Sequence, residues 1–242
     1  MRDQTGAILF DLDGTLIDTT DLILECFRHS WERVCGFSHP RESYLRTFGA
    51  PLRDAMQQLL TRTADATESG GIDEPDRVIE QLLGEYRRFN LANHDRLALP
   101  VPGARESLAE LRRRGYVIAV VTSKGRELAT RGLRLCGLDS LVDSAVFLED
   151  TNTHKPNPEP ILAALDRLGT QPAEAVYVGD SRHDMRAARA AGVQTIAALW
   201  GPAPRAELED ERPDFLAESI TDLLSIFNGR NDTRAGEREC KE

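Results

Sequence analysis

What most constrains this chain is a repeated alternation of short apolar runs with stretches whose apolar residues fall at helical spacing. The runs are Ala7 to Phe10, Tyr116 to Val121, Ala145 to Leu148, Ala175 to Val178 and Val193 to Leu199. Each reads as a buried strand. Between them, Arg105 to Arg114, Arg126 to Cys136, Pro158 to Leu168 and Met185 to Ala191 are rich in Ala, Leu, Arg and Glu and read as helices. Strands alternating with helices at this spacing imply parallel strands joined by crossover helices. The expected fold is therefore α/β, a doubly wound, Rossmann-like parallel sheet.

One region breaks the alternation. From about Thr19 to Leu99 the chain reads as successive helices, near Asp21 to Val34, Leu52 to Arg62 and Asp76 to Ala92, with no convincing strand. This predicts an all-helical cap domain over 19–97, inserted into a core domain formed by 1–18 and 98–228. The polar stretch Thr63 to Glu74, with Gly70-Gly71, is expected to be a mobile surface loop. Residues 229–242, charged and nearly free of large apolar groups, are expected to be a disordered tail. Linkers near Ile17 to Thr20 and Leu97 to Pro102 are expected to let the cap hinge as a body.

Charge and composition exclude several classes of partner. The chain has 40 acidic and 30 basic residues in 242, a formal charge of -10, which repels nucleic acid and anionic lipid. No stretch approaches the roughly 18 apolar residues of a membrane span. A cytoplasmic protein, monomer or homodimer, with neither nucleic acid nor membrane as partner is expected. Cys26, Cys35, Cys136 and Cys240 have no CxxC spacing and are expected to be free thiols.

In an open parallel sheet, ligands bind at the carboxyl edge, so the polar residues that close each strand are the candidates for chemistry. The first strand closes with Asp11-Leu12-Asp13-Gly14-Thr15, the second with Thr122-Ser123-Lys124, the fourth with Gly179-Asp180-Ser181, and Asp184 lies four residues further on. Lys155 follows the third. Brought together, Asp11, Asp13, Asp180 and Asp184 would crowd like charges and call for a hard cation; oxygen-only ligands favour magnesium. Lys155, the Thr122 hydroxyl and backbone N–H groups around Asp13 and Ser123 would supply donors to a dianionic phosphoryl group. A carboxylate can attack phosphorus to give an acyl phosphate, and Asp13 can donate the proton that the leaving oxygen needs. Gly14 would permit a tight turn and Thr15 would fix it locally.

These segments, Phe10-Asp11-Leu12-Asp13-Gly14-Thr15-Leu16, Val121-Thr122-Ser123, Lys155-Pro156 and Gly179-Asp180-Ser181-x-x-Asp184, resemble in order the four motifs of the haloacid dehalogenase superfamily. The resemblance covers the chain to about Asn228. It implies Asp11 as nucleophile, Asp13 as general acid and base, Thr122 and Lys155 as phosphate ligands, Asp180 as a magnesium ligand and Asp184 as an anchor of the metal shell. The position of the helical insertion is similar to that of the phosphoglycolate-phosphatase-like branch, whose caps close over small substrates. Tyr86-Arg87-Arg88-Phe89-Asn90 with His94-Asp95 resembles the inorganic pyrophosphatases of that branch. Gly49-Ala50-Pro51-Leu52, followed by Arg53, resembles the loop that contacts the leaving group. The implied activity is magnesium-dependent hydrolysis of a small phosphorylated metabolite, phosphoglycolate or inorganic pyrophosphate, through an aspartyl-phosphate.

Alternatives stay open at this level. Arg53, Arg87 and Arg88 fit an exposed helix face as well as a substrate site, and His154 and His183 fit solvated neighbours better than metal ligands. A phosphoglucomutase-like sugar-phosphate mutase would use the same residues. A dehalogenase would lack Asp13, and a non-enzymatic binding module would have little use for the intact set.

Overall fold

The computed structural model describes residues 6–66 and 74–228. The expected loop lies largely outside these residues, as does the expected tail together with Cys240.

In chain order the elements are β1 (Ala7–Phe10), β2 (Ile17–Asp18), α1 (Thr20–Cys35), α2 (Arg41–Leu45), α3 (Leu52–Ala66), α4 (Pro75–Leu97), β3 (Leu99–Pro100), α5 (Ala104–Arg113), β4 (Val117–Val121) and α6 (Arg126–Leu135), followed by β5 (Ser144–Val146), α7 (Glu159–Leu168), β6 (Ala175–Gly179), α8 (Arg182–Ala190), β7 (Gln194–Ala198), α9 (Arg205–Asp210), β8 (Phe215–Ala217) and α10 (Leu223–Ile226). Six strands form one sheet in the order β5-β4-β1-β6-β7-β8, and every pairing in it is parallel. The doubly wound fold is as expected, with β8 added as an edge strand.

All four residues of β1 are buried, as a central strand covered on both faces requires. Alternation assigns its side chains to two cores: Ile8 and Phe10 enter one apolar cluster, Ala7 and Leu9 the other. The first cluster runs through Leu12, Leu16 and Leu22 into the helical insert, where it takes in Trp31, Tyr44, Met56 and Leu82.

Within the insert, α1 packs on α4. The buried positions of α4, Ile79, Leu82, Leu83, Tyr86, Asn90 and His94, recur at three- and four-residue steps and form one stripe. Phe27 of α1 stacks on Tyr44 and meets Tyr86 edge-on, with ring centroids 5.2 Å apart in both cases. Pro75 begins α4 at a position where its missing N–H costs nothing.

The two chain crossings into the insert differ from the linkers expected. Ile17 pairs with Pro100 and Asp18 with Leu99, so β2 and β3 form a two-residue antiparallel ribbon. At this length neither strand carries a periodicity that sequence could reveal. A second tie lies nearby: Asp95 on α4 pairs with Arg131 on α6, Nε to Oδ1 at 2.7 Å. Cys26, Cys35 and Cys136 are free. Among the described residues no helix is long and apolar enough to cross a membrane.

Candidate active site

The site is built where β1, β4 and β6 end side by side. Asp11 directly follows β1, and its N–H donates to the carbonyl of Val178 at 2.9 Å, which continues the ladder one residue beyond the strand. The chain then turns back sharply: the N–H groups of Leu16 and Ile17 both donate to Leu12 O, and Gly14 N–H donates to Ile17 O at 2.8 Å. Gly14 has φ +81°, and a Cβ there would stand 2.9 Å from Cγ of Asp180. Glycine is therefore required both by the backbone and by the approach of a carboxylate.

Thr15 does more than fix this turn. Its hydroxyl donates to Asp180 Oδ1 at 2.9 Å, across 165 residues of sequence. Trp200 Nε1 donates to the carbonyl of Thr15 and holds the loop from the other side. Asp180 is fixed at the end of β6, and α8 begins two residues later behind a reciprocal cap between Ser181 and Asp184.

Lys155 lies under Asp11 and is 2 % exposed. Its Nζ meets Asp11 Oδ1 at 2.8 Å and Asp184 Oδ1 at 2.6 Å. It also donates to Tyr177 Oη at 3.1 Å and to the carbonyl of Val121 at 3.3 Å. The other oxygen of Asp184 accepts from Ser181 N–H at 3.0 Å and Ser181 Oγ at 2.5 Å. Asp184 thus anchors the lysine and caps α8 at once.

Asp11, Asp180 and Asp184 are all buried, and one carboxylate oxygen from each lies within 4.8 Å of the other two. Three buried carboxyls face one ammonium, so negative charge is in excess. Burial pushes the Asp11 carboxyl up from 3.8 to about 7, with Asp184 and Asp13 adding to the rise against the pull of Lys155. Burial likewise pushes Asp180 well above the carboxylate range, reinforced by Asp11 and Asp184. Burial works against the charge on Lys155, yet Asp11 and Asp184 hold its pKa well above the ordinary lysine value. Crowded, desolvated oxygens of this kind suit a hard divalent cation.

Asp13 stands apart from that trio. Its Oδ1 accepts from Thr19 Oγ and from Lys124 Nζ, both at 2.7 Å. Its carboxylate is not one of the three that cluster.

Above these groups, between sheet edge and cap, lies a cavity of about 450 Å³. Asp11, Asp13, Thr122, Ser123 and Asp180 line it, whereas Lys155 and Asp184 lie beneath its floor. Ser123 Oγ donates to the carbonyl of Gly49 at 3.3 Å, a direct contact between core and cap. Gly49 has φ +83°, and a Cβ there would stand 2.6 Å from Ser181 Oγ. Gly49, Ala50 and Leu52 line the cavity as the loop resemblance implied, but Arg53 does not. Arg53 is exposed on α3 and pairs with Glu80 of α4. Arg88 pairs with Glu85, whereas Arg87 lines the cavity. Neither His154 nor His183 belongs to the carboxylate cluster.

Sequence reading assigned no role to Lys124, Thr19 or Tyr177. Lys124 follows Thr122 by two residues in the same strand-end loop, a visible signal; Tyr177 reads as one more apolar strand residue, and nothing in its spacing marks the hydroxyl.

The comparisons with known proteins agree with this geometry. Residues 8–198 match the model of the haloacid dehalogenase-like hydrolases. A pyrophosphatase PpaX of Halalkalibacterium halodurans is 38% identical over 225 residues, 92% of this chain and 97% of that protein. One of Bacillus cereus is 37% identical over 228 residues, 94% of this chain and 99% of that protein. Among solved structures, a predicted phosphoglycolate phosphatase from Haemophilus somnus superposes with a TM-score of 0.84 at 22% identity, covering 94% of this chain and 100% of that one. At that identity the likeness is one of fold.

Proposed function

Because the chain belongs to the haloacid dehalogenase-like hydrolases, we propose that it is a magnesium-dependent phosphatase whose first substrate is inorganic pyrophosphate and whose second is phosphoglycolate. The observation that carries the reading is the meeting of Asp11, Lys155 and Asp180 at one sheet edge beneath a cavity. The pyrophosphatase names of relatives 37% and 38% identical support the choice of first substrate.

Asp11 is the nucleophile. Lys155 holds Oδ1 and leaves the second oxygen to attack phosphorus. As the Asp11–phosphorus bond forms, the bond to the leaving oxygen breaks, and Asp13 gives that oxygen its proton. Asp13 then takes a proton from a water molecule whose oxygen attacks phosphorus; the acyl phosphate breaks, and Asp11 is restored with release of phosphate. Lys124 and Thr19 position the Asp13 carboxylate for both transfers. Thr122, which is 4 % exposed, and Ser123 offer hydroxyls to the phosphoryl oxygens from the end of β4. Asp11 and Asp180 are the residues that would hold magnesium, with Asp184 anchoring the floor. Once bound, the cation supplies positive charge that keeps Asp11 ionised and offsets charge on the transferring group.

The test is phosphate release from pyrophosphate, phosphoglycolate and hexose phosphates, with magnesium and with chelator. Magnesium-dependent release that Asp11→Asn lowers on the order of ten-thousandfold is expected. Isomerisation of a hexose phosphate without net release would replace the phosphatase with a mutase, and robust release by Asp11→Asn would remove Asp11 from the mechanism.

A further inference from the structure

The two walls of the cavity differ in charge. The core side carries Asp11, Asp13, Asp180, Glu127 and Glu149, and its one cation, Lys124, is taken up by Asp13. The cap side is largely apolar, with Ile23, Phe27, Phe48 and Leu52. Among the described residues that the cap contributes to the lining, Arg87 alone is charged. It is an exposed residue of α4 beside the buried stripe, at the rim of the cavity, three residues before Asn90 and four before Leu91, which also line it.

Its neighbours are accounted for elsewhere. Arg88 pairs with Glu85 at 2.8 Å and Arg53 pairs with Glu80, whereas Arg87 has no carboxylate within ion-pair distance among the described residues. A guanidinium presents five donors in a planar fork that matches a phosphate or a carboxylate.

We infer that Arg87 is the specificity residue for the leaving group, and that it selects substrates whose leaving group carries a second anionic charge. This rests on the phosphatase reading given above. With the scissile phosphoryl group on Asp11, the remainder of the substrate extends toward the cap. An anionic leaving group would meet repulsion from Glu127 and Glu149 unless a cation stood opposite, and Arg87 is the cation on that wall. The second phosphate of pyrophosphate and the carboxylate of phosphoglycolate share this chemistry. A monoester with an uncharged organic group leaves the fork unpaired, and a site built to bind a charged group rejects analogues that lack it.

The experiment compares wild type, Arg87→Ala and Arg87→Lys on pyrophosphate, phosphoglycolate and p-nitrophenyl phosphate, with thermal melts to verify folding. Loss of a charge-assisted hydrogen bond predicts that Arg87→Ala lowers kcat/KM on the anionic substrates about tenfold to a hundredfold, mainly through KM. The loss on p-nitrophenyl phosphate is expected to be far smaller, and Arg87→Lys, which keeps the charge without the fork, to fall between. Comparison of the two anionic substrates identifies which charge is preferred. Equal losses on charged and uncharged leaving groups, or no loss on the charged ones, would overturn the inference. Should wild type release phosphate from none of the three, the phosphatase reading fails separately. Arg87 is then read by calorimetric binding of methylenediphosphonate, where equal affinity of wild type and Arg87→Ala would dispose of its role.

Discussion

The floor of the cavity and its roof are held by different physics. In the floor, Asp184 uses both oxygens, Lys155 meets two carboxylates, a hydroxyl and a carbonyl, and Asp180 takes a hydrogen bond from a threonine 165 residues away. In the roof, α1 and α4 are joined by apolar packing and by Phe27, which stacks on Tyr44 and meets Tyr86 edge-on. A buried polar network tolerates few changes because each lost partner leaves another group unsatisfied. An apolar roof can exchange side chains of similar volume and keep its shape. Such a division lets the reaction stay fixed while the choice of substrate changes.

The comparison is broken most directly at Lys155. Lys155→Met leaves Asp11 and Asp184 buried without their cation, and a stability loss of about 3–5 kcal/mol in denaturant unfolding is expected, together with loss of phosphate release. Full stability in that variant would mean that the floor is not held by charge. Next comes Gly14→Ala, which forces a side chain into a left-handed turn at φ +81° and against Asp180. A loss of about 1–3 kcal/mol and a raised magnesium requirement are expected in titrations of activity; an unaltered requirement would separate Asp180 from the cation.

A third test uses pH. Because the Asp11 carboxyl is raised from 3.8 to about 7, the folded chain keeps a proton that the unfolded chain has already released. Stability of the metal-free protein should therefore fall as pH climbs between those values. Magnesium competes with that proton, so the rise in Tm it produces should be larger at pH 8 than at pH 5. A pH-independent rise would place the cation elsewhere. The smallest effect is expected outside the roof: Arg53→Ala removes an exposed pair with Glu80, and kcat/KM should change by less than about twofold. A larger change in steady-state assays would return Arg53 to the substrate site.

The same contrast explains what could be read from the residues alone. Strand ends announce themselves, since an apolar run stopping at Asp11, Thr122 or Asp180 gives both the fold and the chemical groups, and β1 is found at Ala7–Phe10 as its pattern predicts. Apolar spacing places the start of α8 at Met185, three residues late; the Ser181-x-x-Asp184 cap starts the helix at Arg182. The short pieces β2, β3, β8 and α2 carry too few residues for a period to emerge. Side-chain direction was the other loss. Nothing in Arg53, Arg87 and Arg88 as letters tells which one faces the cavity, because that depends on how α3 and α4 rotate against α1. Thr15 was assigned a local bond, and only the sheet order brings Asp180 within its reach.

Strand β1 lies in the middle of the sheet, with Ala7 beside Val117 on one side and Ala175 on the other. During synthesis the segment bearing Asp11 leaves the ribosome before either of its neighbours, β4 and β6. A nascent chain therefore carries Asp11 without Lys155 or Asp180 beside it until those residues have been made. Assembly waits on contacts distant in sequence, which close slowly, and turnover can begin only once the last neighbouring strand has been made.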